Sequence, residues 1–163
     1  MGKFKIGFGY DVHQLSEGKK LFLGGIEIEN SELGAVGHSD ADCLIHAIID
    51  SMLGAANLRD IGTQYPDSDM KYKNIDSKIL LKDTLDKITE KGFRIENIDS
   101  AICLQTPKIG KFIPLMQQTL AGILNIDTED VSIKATTTEK LGFVGKSEGV
   151  SAYSVCLLSK SVI

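Results

Sequence analysis

The segment "GVSAYSVCLLSK", residues 149–160, reads as a strand that is apolar on both faces. A strand of that kind needs cover on each side, from helices or from another subunit. The chain must therefore supply a layered structure around it, or borrow one layer from a partner.

The remaining elements follow from periodicity and turn chemistry. A first strand covers roughly residues 3–10, and "LFLGGIEI" suggests a short strand pair turning at Gly24-Gly25. "ADCLIHAIIDSMLGAAN" carries a helical pattern with Leu44, Ile45, Ile48, Ile49, Met52 and Leu53 on its apolar face. "RDIGTQYPDSD" is a loop rich in turn residues. A second helix runs from about Ser77 to Glu90, striped by Leu81, Leu85 and Ile88 and stopped by Gly92. "NIDSAICLQ" reads as a strand. Residues 111–124 form a third helix with Phe112, Leu115, Met116, Leu120 and Ile123 inward, and "VSIKATTT" alternates as a strand. The expected fold is α/β (α+β), one domain over residues 1–163, a mixed β-sheet with helices packed on it.

Composition narrows the partners. A net charge of −4 argues against nucleic acid as the main partner. A small anion stays open, because metals, local cations and backbone N–H groups bind one even in an acidic protein. No apolar run is long enough to span a membrane, and "MGKFKIGFGY" is too short and interrupted for a signal peptide. Cys43, Cys103 and Cys156 have apolar neighbours and read as reduced core thiols. A bacterial cytoplasm fits, as does an organelle after removal of a transit peptide.

Three stretches can carry chemistry. In "GYDVHQL", Asp11 and His13 stand two apart and share one face of a strand. His46 lies within the first helix, with Asp42 and Asp50 four residues either side on the same stripe. By itself His46 is most simply a core histidine satisfied by one of those carboxylates. With Asp11 and His13 it completes a two-imidazole, one-carboxylate ligand set for a divalent metal, one position being left open. Asp42 or Asp50 would then orient its ring.

His38 opens "HSDAD", where Ser39 or Asp40 is a candidate N-cap; alternatively the imidazole, hydroxyl and free N–H groups gather an anion. In "KATTTEKLGFVGKSEG", Thr136 and Glu139 have the spacing of a capping box. The same stretch equally offers Thr136, Thr137 and Thr138 as donors to phosphate beside a carboxylate for a hard metal. "QTPKIGK" places Lys108 and Lys111 around a Pro/Gly turn, in isolation a solvated connection.

Taken in order, "GYDVHQL", "GHSDADCLIHAIIDSMLGAANLRDIG", "YPDSD", "QTPKI" and "KATTTEKLGFVGKSEG" resemble the 2-C-methyl-D-erythritol 2,4-cyclodiphosphate synthase family of non-mevalonate isoprenoid biosynthesis. The resemblance covers nearly the whole chain. It implies a chorismate mutase-like subunit that assembles as a homotrimer with active sites between neighbours. It implies conversion of 4-diphosphocytidyl-2-C-methyl-D-erythritol 2-phosphate to the cyclic diphosphate and CMP. By position, Asp11, His13 and His46 match zinc ligands, and Glu139 matches the carboxylate that holds magnesium or manganese on the diphosphate. His38 and Thr137 match the transition-state stabilisers, with Ser39 on the substrate beside His38.

The erythritol loop is matched by Asp60, Ile61 and Gly62, and its pocket by Tyr65, Pro66, Asp67 and Asp69. The cytosine pocket is matched by Leu104, Gln105, Thr106, Pro107, Lys108, Ile109 and Gly110. Phe143 and Lys146 match further substrate contacts, alongside Thr136 and Thr138. Two residues depart from the expected pattern: Lys146 stands in place of arginine, losing the planar fork that grips phosphate, and Tyr65 stands in place of phenylalanine. Lys146 and Glu148 fall near the charged mouth of the family's central channel. Two other readings use the same residues: a phosphoesterase with zinc-bound water, and a trimeric binding module with structural zinc. A structural zinc site normally has four protein ligands, and three are identified here.

Overall fold

The computed structural model describes residues 3–160, and the expected domain limits at 1 and 163 lie outside them. The doubly apolar segment forms β7 (Gly149–Lys160), the middle strand of a five-stranded sheet. It pairs antiparallel with β1 (Lys3–Glu17) on one side and β5 (Arg94–Cys103) on the other. Beyond β5 lies β6 (Val131–Thr136), in parallel, and beyond β1 lies β4 (Leu33–Val36), antiparallel. The expected hairpin is present as β2 (Phe22–Leu23) and β3 (Ile26–Glu27), apart from the main sheet, with Gly24 and Gly25 both at positive φ in its turn.

Two longer helices, α1 (Cys43–Ala55) and α4 (Ile113–Leu124), pack on one face of the sheet, and a third, α3 (Ser77–Glu90), packs against both of them. Two single-turn helices, α2 (Ile61–Gln64) and α5 (Gly142–Gly145), interrupt loops. α1 is the centre of the core, and all six apolar residues expected on its face are fully buried. The even-numbered residues of β7, Val150, Ala152, Cys156 and Leu158, face it and are fully buried too.

Among the described residues, no helix lies on the opposite face of the sheet. Phe4, Ile6, Phe8, Tyr10 and Val12 of β1, with Tyr153 and Val155 of β7, lie exposed there. The strand that needs two covers thus receives one from its own chain.

Several sequence expectations change. β1 continues past residue 10, because Asp11 to Gln14 stay in register with Ala152 to Gly149 and the strand then pairs with β4. Leu115 is exposed rather than inward. The buried stripe of α4 runs through Met116, Leu120 and Leu124, and Leu115 sits about 100° round the helix from it. α1 is capped by Asp42, whose carboxylate accepts the Ile45 N–H, rather than by Ser39 or Asp40. Thr136 and Glu139 form no capping box, since no helix begins there; Thr137 donates to the Glu139 carboxylate instead at 3.0 Å. Cys103 is half-buried, unlike the core thiols Cys43 and Cys156.

Candidate active site

The alternation of β1 gives its two faces opposite characters. Gly7, Gly9, Asp11 and His13 point toward the helices. A Cβ on Gly7 would stand 1.8 Å from the Ser51 carbonyl oxygen, and one on Gly9 would meet α1 just as closely. The glycines let the backbone of α1 rest directly on β1. That approach carries His46 to the same strand, one step from Asp11.

Three ligand atoms converge as a result. Oδ2 of Asp11 lies 2.9 Å from Nε2 of His13 and 3.1 Å from Nδ1 of His46, and the two nitrogens are 3.1 Å apart. Ligands about 2.0–2.1 Å from a tetrahedral centre stand roughly 3.3 Å from one another, so the triangle is close to the size a zinc-like ion requires. The outer nitrogens are held by protein: Nδ1 of His13 by the Val36 carbonyl at 3.1 Å, Nε2 of His46 by the hydroxyls of Ser77 and Ser39 at 2.9 and 3.1 Å. Histidines anchored in this way present a fixed nitrogen inward. The donor set therefore fits a divalent metal, and among the described residues it is the one group of its kind.

The electrostatics agree. Burial would raise the Asp11 carboxyl, but hydrogen bonds from His13 and His46 bring it down to about 2. Burial works to lower His13, and the adjacent Asp11 charge overrides it and raises the imidazole above its ordinary value. Cys43, beneath the site, donates its S–H to the Asp11 carbonyl, and burial drives its thiol far up, so it is no nucleophile.

The two acids expected to orient His46 do other work. Asp42 accepts N–H groups from Gly24, Gly25 and Ile45 and ties the hairpin to the start of α1. Asp50 accepts the Ile61 N–H at 2.8 Å and holds α2 in place. Backbone N–H groups nearby claimed both carboxylates. The outer nitrogen of His46 meets the Ser77 hydroxyl instead, a contact with no spacing signal in the sequence.

A cleft of about 350 Å³ opens beside the three ligands. His38, Ser39, Ile61, Gly62, Tyr65 and Asp67 line it, and Tyr72, Ile75 and Leu80 form an apolar wall that the sequence did not announce. Nε2 of His38 is buried without a hydrogen-bond partner among the described residues, a donor or acceptor held ready for a ligand. Asp60, Pro66 and Asp69 are not among the lining residues; the two acids cap short turns through the Thr63 and Lys71 N–H groups.

A second cleft of about 320 Å³ gathers Leu104, Pro107, Lys108, Ile109, Gly110, Thr136 and Thr137. Thr106 faces a smaller recess with Pro107, and Gln105 accepts the Lys140 N–H. Glu139 is exposed beside Thr137, while Thr138 donates to the Leu141 carbonyl. Phe143 and Lys146 lie on α5 and its cap, outside both clefts. Across the sheet, Asp11 pairs with Ala152, Ala152 with Ile102 and Ile102 with Ala135. Three strand spacings, roughly 14 Å, therefore separate the two clefts along one end of the sheet.

Residues 4–159 match the YgbB family. A 2-C-methyl-D-erythritol 2,4-cyclodiphosphate synthase of Bacteroides thetaiotaomicron is 59% identical over 97% of this chain and 99% of its own. Among solved structures, the bifunctional IspDF of Campylobacter jejuni superposes with a TM-score of 0.94 at 43% identity over 99% of this chain, which spans 43% of that longer protein. IspF of Plasmodium falciparum, solved as a CDP complex, gives a TM-score of 0.85 at 34% identity, covering 98% of this chain and 97% of its own.

Proposed function

The chain belongs to the YgbB family, and on that premise we propose that its two clefts are the halves of one active site completed between subunits. The reaction is that named by its relatives: 4-diphosphocytidyl-2-C-methyl-D-erythritol 2-phosphate is converted to 2-C-methyl-D-erythritol 2,4-cyclodiphosphate and CMP. The observation that carries the site assignment is the convergence of Asp11, His13 and His46 at the edge of the first cleft.

The chemistry is an intramolecular phosphoryl transfer. An oxygen of the 2-phosphate forms a bond to the β-phosphorus while the bond to the CMP oxygen breaks. The nucleophile is already an anion near neutral pH, so the site needs no strong base; its task is charge neutralisation and in-line placement. Asp11, His13 and His46 would hold zinc, and Glu139 a magnesium or manganese ion on the diphosphate, supplying Lewis acidity toward phosphate oxygens. The buried, unpartnered Nε2 of His38 and the Thr137 hydroxyl are suited to a developing phosphoryl charge. Ile61, Gly62 and the Tyr65–Asp67 wall would keep the erythritol arm folded, a proximity contribution of several kcal/mol. The second cleft, with Pro107, Lys108 and the surrounding backbone, would take the cytosine, a reading supported by the CDP bound to the Plasmodium relative.

The uncovered apolar sheet face supports assembly, and the family resemblance supplies the trimeric, chorismate mutase-like form. Each subunit would then lend its second cleft to the metal-bearing cleft of a neighbour. Bacterial relatives, and no helix among the described residues long and apolar enough to cross a membrane, favour a cytoplasmic setting.

Incubation with the cytidyl substrate tests the reading. Phosphorus NMR should show the cyclic diphosphate with one CMP released per turnover, lost with a chelator and restored by zinc plus magnesium. A linear product would make the protein a phosphoesterase, and no product at all would leave it a binding module.

A further inference from the structure

Nε2 of His46 faces away from Asp11 and lies 2.9 Å from Oγ of Ser77, a fully buried hydroxyl at the first position of α3. Ser77 has one proton to give, and it donates to Oδ1 of Asp40, while its backbone N–H reaches Oδ2 of the same carboxylate at 2.9 Å. Asp40 Oδ1 also accepts the Asp42 N–H at 3.3 Å. A carboxylate can only accept. The Ser77 proton is thereby committed, and Ser77 can offer His46 nothing but a lone pair. Nε2 of His46 is then the N–H, which leaves Nδ1 as the nitrogen able to offer a lone pair to a metal. Ser39 Oγ lies 3.1 Å from the same nitrogen and accepts the Ala41 backbone N–H.

On this geometry we propose that Ser77 and Asp40 are positioning residues that lock His46 in the tautomer and ring orientation required of a metal ligand. The His46–Ser77–Asp40 chain joins three segments: the loop before α1, α1 itself and the start of α3. It polarises the imidazole through a hydroxyl, where many metal-binding histidines meet a carboxylate directly. His13 is held on the other side by the Val36 carbonyl, which accepts and so places the proton on Nδ1. With the outer nitrogens so committed, Nε2 of His13 and Nδ1 of His46 are the two left to turn a lone pair toward a cation beside Oδ2 of Asp11; without a cation they stand within hydrogen-bond reach of that carboxylate. The inference rests on the metal-site reading above and goes beyond it by assigning two further residues.

Zinc affinity, measured by competition with a chromogenic chelator, should fall by about 10–100-fold in Ser77→Ala and in Asp40→Asn. Asp40→Asn keeps the volume of the carboxylate and reverses the direction in which the Ser77 proton is drawn. A second readout needs no metal: nitrogen-15 NMR of the stripped protein should place the slowly exchanging His46 proton on Nε2 in the parent and lose it in Ser77→Ala. If both variants bind zinc as the parent does and keep the Nε2 proton, the assignment is overturned, even if their thermal midpoints fall. If the parent binds no zinc that His13→Ala removes, the metal reading fails instead, and the NMR signature alone decides the relay.

Discussion

Tyr10 and Tyr153 are directly paired across β1 and β7, with ring centroids 5.0 Å apart, on the sheet face that no helix covers. Each remains more than two-fifths exposed, and Phe8 and Val155 extend the patch. A contiguous aromatic surface of this kind is suited to an interface. We expect Tyr153→Asp to abolish the proposed trimer, leaving a monomer in sedimentation velocity. Turnover should disappear with it, whereas zinc binding, built within one chain, should persist. A monomeric variant with full activity would refute the shared site.

The other face of β1 is constrained differently. A Cβ on Gly9 would stand 1.9 Å from the Ala47 carbonyl oxygen, and the obstacle is helix backbone rather than a side chain that can rotate away. Gly9→Ala should cost about 3 kcal/mol in denaturant unfolding, toward the upper end of overpacking effects. Because α1 must retreat from β1, zinc affinity should fall with stability, although no ligand has been altered.

Removing the metal should expose the pH response of its ligands. Asp11 has a folded value near 2 against 3.8 unfolded, so its contribution is present above 3.8 and is lost as the pH falls through about 2. His13 is raised above 6.5, so its contribution is complete below 6.5 and is lost as the pH rises through its folded value. The chelator-treated protein should therefore keep this pair's contribution between about pH 4 and 6.5 and weaken above it. Zinc affinity should run the opposite way, rising with pH as His13 gives up its proton. Urea midpoints across pH, with and without zinc, check both slopes.

Tyr65 differs from the phenylalanine its position suggests, yet its hydroxyl does not face the cleft. It donates to the Asp83 carboxylate and meets the Thr84 hydroxyl, each at 2.8 Å, while its ring lines the cleft wall. Tyr65→Phe should lower stability by about 1 kcal/mol and leave KM within a few-fold of the parent. A large change in KM would place the hydroxyl in substrate binding after all.

Legibility in the sequence followed the type of signal. Strand alternation paired Asp11 with His13, and helical spacing outlined α1 and the Ser77–Glu90 helix, because both depend on local periods. That His46 meets Asp11 depends on Gly7 and Gly9, whose role is visible only once a helix lies against them. Asp42 and Asp50 were misassigned for a physical reason: a carboxylate on the right helical stripe was taken by backbone N–H groups of the hairpin and of α2. The contact between Ser77 and Asp40 was not legible, although Asp40 reads as a candidate cap and Ser77 as a helix start, because a loop with no periodicity of its own brings them together.

β1 carries its two duties on alternate residues, with Gly7, Gly9, Asp11 and His13 on one side and Ile6, Phe8, Tyr10 and Val12 on the other. Gaining or losing a single residue within that stretch would exchange the two sets at a stroke, turning ligands outward and aromatic rings into the helix. Descendants of such a gene can exchange one apolar side chain for another on the outer face, but the length of this strand is closed to change.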